Sequence, residues 1–233
     1  GAAALIKSTL NTQLGAAGYG YLFTDRLSQI TYSYAASNGI HATFGVFQPL
    51  DLISFGGNGY IGDSGSKQPG VHGRLRYDFS NGYLSSTFLQ QDVSTPLNSY
   101  NAYGVDVTAA FAIANNRFVV SAFSADGLGY YGLFIDAADA NATPRESSGW
   151  FAQATHTRGA TKFGVNYGVS SVKRTALDSA LQLDEQKKLT VGVYHTLWEL
   201  VTISAEVSDI RARNHQHESI SNQAMSLGLA LSF

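Results

Sequence analysis

Hydrophobic and polar residues alternate along much of this chain with a period of two. In VHGRLRYDF, Val71, Gly73, Leu75, Tyr77 and Phe79 share one face, with His72, Arg74, Arg76 and Asp78 on the other. TKFGVNYGV sets Phe163, Val165, Tyr167 and Val169 against Lys162, Gly164, Asn166 and Gly168. NAYGVDVTAAFAI sets Tyr103, Val105, Val107, Ala109, Phe111 and Ile113 against Gly104, Asp106 and Thr108, and LTVGVYHTL and VTISAEV behave alike. Such alternation specifies β-strands with one apolar and one polar face. The polar faces are made of Gly, Ser, Thr, Asn and scattered charges, which is poor material for a packed core.

The pattern predicts strands over 17–24, 28–36, 40–48, 71–79, 83–91, 101–113, 117–136, 149–157, 161–171, 187–197, 200–210 and 222–233. The stretch 117–136 contains Asp126-Gly127 and is expected to be one long or bulged strand. Read as a hairpin it would make thirteen strands, and fourteen if 2–13 is also a strand. Residues 1–15 are expected to form a short helix or plug, because Leu5, Ile6, Thr9, Leu10 and Leu14 carry a helical spacing.

Turn signals at Ser37-Asn38-Gly39, Ser80-Asn81-Gly82, Asn115-Asn116, Arg158-Gly159 and from Thr196 to Leu200 separate these strands. They alternate with longer polar connections near 50–70, 92–100, 137–148, 172–186 and 211–222. Short turns on one rim and long loops on the other mark an outer-membrane barrel. Aromatics gather at the short turns: Tyr34, Phe79, Tyr83, Phe111, Phe118, Phe163, Trp198 and the last residue, Phe233. A ring of them at one rim reads as a headgroup girdle. The expected architecture is a single-domain all-β protein over residues 1–233, a transmembrane antiparallel β-barrel of about twelve strands, with fourteen or sixteen as alternatives.

Composition supports this. Charged residues are 14% of the chain, against about 25% in an average soluble protein. No stretch approaches the roughly 18 apolar residues of a membrane helix, and a barrel's polar half accounts for a mean hydropathy of -0.06. A net charge of -2 gives no reason to expect nucleic acid. The absence of cysteine excludes disulfides and thiolate metal sites. GAAALIKSTL lacks a basic segment followed by an apolar one, so no intact signal peptide is expected.

The last strand, AMSLGLALSF, places Met225, Leu227, Leu229, Leu231 and Phe233 on one face. Ending in an aromatic, it resembles the C-terminal assembly signal of Gram-negative outer-membrane proteins. GIHATFGVFQPLDLISFGGNGY, followed by PGVHGRLRYDFSNG, resembles Gram-negative porins, particularly the DcaP-like group. Members of that group usually have sixteen strands and form trimers, and in them a strand leads into a loop folded into the lumen, followed by a strand bearing basic residues. The resemblance implies a passive channel for small hydrophilic solutes in the outer-membrane lipid, assembled as a homotrimer, with neither cofactor nor catalysis. Small outward residues such as Ala42, Ala109, Ala152, Ala154 and Ala205 permit the close contacts a trimer requires.

In this reading the Gly-rich segment 50–70 folds inward and sets Asp51 or Asp63 opposite His72, Arg74 and Arg76, forming the pore constriction. Inward bases (His72, Arg74, Arg76, Lys162) outnumber inward acids (Asp106, Glu206 and Asp78), which predicts mild anion preference. His215, His217 and Glu218 could chelate a metal but lack a third fixed partner, and no metal is expected. GLGYYG at 127–132 matches a dinucleotide fingerprint only in letters, with no helix behind it. Two other readings remain: a non-conducting structural barrel, and an outer-membrane phospholipase built around His195, which shares the apolar face of Val191 and Val193. The serine motif of such enzymes is missing.

Overall fold

The computed structural model describes residues 19–22, 28–49, 68–94, 98–129, 136–198 and 200–231. Among these residues alternating side chains and tight turns produce a single antiparallel meander of eleven strands, each paired with its sequence neighbours. They are β1 (Gln29–Ala35), β2 (Ile40–Phe47), β3 (Gly70–Phe79), β4 (Gly82–Ser94), β5 (Ser99–Ile113), β6 (Asn116–Asp126), β7 (Glu146–Arg158), β8 (Thr161–Val172), β9 (Leu183–Leu197), β10 (Val201–Asn214) and β11 (Ser219–Leu231). The described residues contain no helix. Residues 1–15, most of the 50–70 loop and Phe233 lie outside them.

Several expectations need correction. The strand at 17–24 is absent where it can be seen, since Tyr19–Leu22 form a bend on the inner face of the sheet. The strand at 117–136 stops at Asp126, where Gly127 and Gly129 take φ of +67° and +76° and turn the chain out of the ladder. No hairpin forms at Asp126-Gly127 either, because β6 is bounded by β5 and β7. The connection expected at 211–222 is mostly strand, since β10 runs to Asn214 and β11 starts at Ser219. The Asn214 side chain accepts from the Gln216 and Glu218 amides at 3.0 and 2.9 Å, so only a tight turn is left. Polar residues on a solvated strand extension look like loop in the sequence. Likewise β9 begins at Leu183, inside the connection expected at 172–186, and the connection expected at 92–100 is shortened at both ends, since β4 runs to Ser94 and β5 starts at Ser99.

The sorting of loops therefore holds for some connections only. One rim has the short turns β1–β2, β3–β4, β5–β6, β7–β8 and β9–β10. The other has the long connections β2–β3, β6–β7 and β8–β9, together with the compact β4–β5 and β10–β11.

One face of the sheet is an unbroken apolar belt. Leu75, Tyr77, Leu84, Phe88, Val105, Val107, Val120, Val165, Val191, Val193, Ile203 and Val207 all point outward and are exposed. Phe79, Phe111, Phe163 and Trp198, the last 81% exposed, ring the short-turn rim, and Phe111 stacks on Phe118 with centroids 5.2 Å apart. A water-facing surface of this extent would be an aggregation hazard, whereas a bilayer accepts it. The other face divides in two. Toward the short-turn rim and the middle it is mostly polar, with Ser85, Thr87, Asp106, Thr108, Ser121, Gln153, Asn166, Thr190 and Glu206 buried among their neighbours, around a smaller apolar cluster of Tyr21, Tyr83, Ala110, Val119 and Phe151. Toward the long-loop rim Phe47, Leu89, Val93, Ala102, Phe123, Ala125 and Leu128 pack with Leu22 into an apolar cluster. The inner face is thus not polar throughout, as the sequence led us to expect.

Candidate pore wall

The basic strand β3 sits in the register that the alternation predicts. His72, Arg74, Arg76 and Asp78 point inward, while Leu75, Tyr77 and Phe79 point outward. The turn at Ser80-Asn81 sets Asp78 opposite Tyr83 and Arg76 opposite Ser85 on β4, and β2 brings His41 opposite Arg76 on the other side.

Near the short-turn rim this forms a bridged cluster. Arg76 Nε donates to Asp78 Oδ1 at 2.7 Å, its guanidinium lies 4.0 Å from the centroid of the Tyr83 ring, and His41 Nε2 lies 2.8 Å from Asp78 Oδ2. A carboxylate on one side and an aromatic face on the other fix the guanidinium against the wall. One step toward the middle, Arg74, Thr87 and Asp106 are successive cross-strand partners on β3, β4 and β5. The carboxylates answering Arg74 and Arg76 therefore come from the wall itself. Asp51 and Asp63 lie outside the described residues.

His72 faces inward as well, but it is only 2% exposed and sits against Phe47, with ring centroids 5.8 Å apart. It belongs to the apolar part of the wall rather than to the Arg74–Arg76 surface. On the far side Lys162, Lys188, Tyr194 and Glu206 line β8–β10. The Tyr194 hydroxyl donates to Glu206, which is 1% exposed, and Lys162 Nζ stands 5.7 Å from the centroid of the Tyr194 ring. A polar notch opens beside them, lined by Gln153, Gly164, Asn166, Thr190 and Gly192.

The sequence reading missed His41 and Lys188, whose places follow from cross-strand register rather than from any motif, and it set Tyr83 in the outward aromatic ring, whereas Tyr83 is buried on the inner face beneath Arg76. It also missed the tie between the β6–β7 and β8–β9 loops. Arg145 donates to Asp178 twice, at 2.7 and 2.6 Å, with both side chains buried. Asp139 accepts from the Asn141 and Thr143 amides and from the Thr175 hydroxyl. The Arg145 hydrogen bonds draw the Asp178 carboxyl down to about 2. Burial works to raise Asp139, but its three donors outweigh it and hold that carboxyl low. Among the described residues no group of three potential metal ligands occurs, and His215, His217 and Glu218 sit at the tight β10–β11 turn.

Solved structures share this fold. The outer membrane channel DcaP of Acinetobacter baumannii superposes with a TM-score of 0.74 at 14% identity, over 93% of this chain and 64% of that one. The fold is that of the outer-membrane porins. An anion-selective porin from Comamonas acidovorans matches with a TM-score of 0.65 at 13% identity, over 88% of this chain and 59% of that one. A further porin matches at 0.64 and 13%, over 89% of this chain and 62% of that one. This chain spans less than two thirds of the length of these porins. No family model matches the sequence, and no curated protein does.

Proposed function

We propose that this protein is a porin of the Gram-negative outer membrane, related to the DcaP-like group, which passes small hydrophilic solutes by diffusion. The observation that carries the reading is the pairing of a continuous outward apolar belt and aromatic rim with a charged, hydrogen-bonded inner wall on the same strands. A lipid-facing outside and a wetted inside are what a transmembrane barrel needs. The eleven strands form most of the barrel wall, and additional strand pairing at β1 and β11 closes it. A twelve-, fourteen- or sixteen-stranded ring would satisfy this equally.

The inner wall carries Arg74, Arg76, Lys162 and Lys188 against Asp78, Asp106 and Glu206. This favours anions mildly, and the inward loop with Asp51 or Asp63 would narrow the passage beside it. The outward alanines Ala42, Ala109, Ala152, Ala154 and Ala205 support association into a homotrimer, which a detergent-corrected mass measures directly. The proposal includes no catalysis. His195 points outward near the aromatic rim, with Nδ1 2.9 Å from Thr161 Oγ1, and is taken as an interfacial residue. A phospholipid hydrolysis assay in detergent is expected to show no turnover. The deciding experiment is conductance in planar bilayers. Stepwise insertion of ohmic channels is the expected result, and a protein that inserts without conducting would instead be a structural barrel.

A further inference from the structure

Tyr19–Leu22 lie across the inner face of the sheet. The Gly20 amide donates to Ser170 Oγ on β8 at 2.8 Å, in a buried contact. Gly20 has φ of +92°, and a Cβ there would stand 2.1 Å from the Trp150 carbonyl oxygen on β7. From the other side, a Cβ on Gly168 would stand 2.0 Å from the Tyr19 carbonyl oxygen. Both clashes are with backbone, which cannot swing aside, so glycine on each partner is what allows the two chains to touch. Beyond the contact, the Tyr21 ring meets Phe151 edge-on, with centroids 6.0 Å apart. Leu22, 2% exposed, enters the apolar cluster with Phe47, Leu89, Phe123 and Leu128. Its Cδ1 reaches within 3.1 Å of where a Cβ on Gly104 of β5 would be. Four residues thus cross the inner face from β8 to β5.

The geometry points to a lumen strap: Tyr19–Leu22 sit on a seat formed by Gly168 and Ser170 and obstruct the long-loop half of the pore, limiting its conductance. This rests on the channel reading and goes beyond it. The strap joins no ladder. It is held by side-chain packing and the Gly20–Ser170 hydrogen bond rather than by strand pairing, so it can detach while every strand pair of the wall stays intact.

The chain contains no cysteine, so Leu22→Cys supplies a unique thiol. In that background Gly168→Val places side-chain atoms where the Tyr19 carbonyl lies, and valine suits a strand. Ser170→Ala, which removes only the hydrogen-bond acceptor, serves as a milder second variant should the first fail to fold. Two readouts are taken: the reactivity of the introduced thiol toward a water-soluble reagent, and unit conductance in planar bilayers. The expected result is a protected thiol and small conductance in the Leu22→Cys parent, with loss of protection and larger conductance once the seat is altered. A freely reactive thiol in the parent overturns the strap, and so does equal conductance in parent and Gly168→Val. If neither conducts, yet protection is lost in the variant, the seat is supported and the channel reading fails.

Discussion

Among the described residues Arg145 and Asp178 make up the most buried ion pair, with side chains 7% and 6% exposed and two short hydrogen bonds between them. Arginine's rigid fork suits this bidentate grip. Because Arg145 draws the folded carboxyl down to about 2, while an unfolded aspartate titrates near 3.9, the pair's contribution is present in full above about pH 4. It fades as the pH falls toward 2. Hydrogen-exchange protection of residues 136–145 and 173–182 should therefore stay flat from pH 8 to about 4 and decline below it. At neutral pH Asp178→Ala strands a buried guanidinium, a change that costs about 3–5 kcal/mol in comparable sites. The loss should appear as protease cleavage in these two loops, with the strands intact. Arg74 tests the channel itself. Removing it leaves Asp106 without its cross-strand cation, so Arg74→Ala should move the reversal potential toward cations at low salt. The shift should vanish near molar salt, where the screening length falls to about 3 Å.

At the level of elements, strand identity was legible and strand ends were not. Two-residue alternation located ten of the predicted strands within a few residues, because an apolar face must stay in phase along its whole length. The ends depend on features that alternation does not encode. β6 ends on the positive φ of Gly127, while the polar extensions of β9 and β10 hold together through pairs such as Arg213 with Asp184 at 2.7 Å. Those same charges read as loop in the sequence. The candidate wall shows the same division. That Arg74 and Arg76 face inward was readable from β3 alone, but their partners Asp106, Tyr83 and His41 come from other strands through register. The face assignment predicts a sharp contrast on one strand. Leu75→Arg puts a cation on the lipid face, at a cost of about 2–4 kcal/mol if it lies near the midplane, whereas Arg74→Ala next to it should leave stability nearly unchanged. Urea unfolding from lipid vesicles measures both, and equal costs would contradict the assignment of faces.

For the molecule as a whole, the apolar inner cluster was illegible because Phe47, Leu89 and Phe123 meet only after three separate hairpins have folded. Closure depends on the same long-range geometry, and strand direction constrains it. β1 leads into the short β1–β2 turn, and β11 follows the β10–β11 turn at the opposite rim, so both edges run toward the short-turn rim. Set side by side they would be parallel, and an antiparallel ring needs an odd number of strands between them. Copies inserted in one orientation cannot supply that pairing, because each presents edges running the same way. Twelve, fourteen and sixteen strands all meet the condition, and eleven does not. Cysteine pairs in this cysteine-free chain test the point. Ile203→Cys with Leu229→Cys, direct partners on β10 and β11, should cross-link readily on oxidation in membranes. Tyr32→Cys with Leu229→Cys, one on each edge, should not cross-link within a chain or between chains. Efficient bonding of that second pair would mean that the edges meet directly, and the antiparallel ring would have to be abandoned.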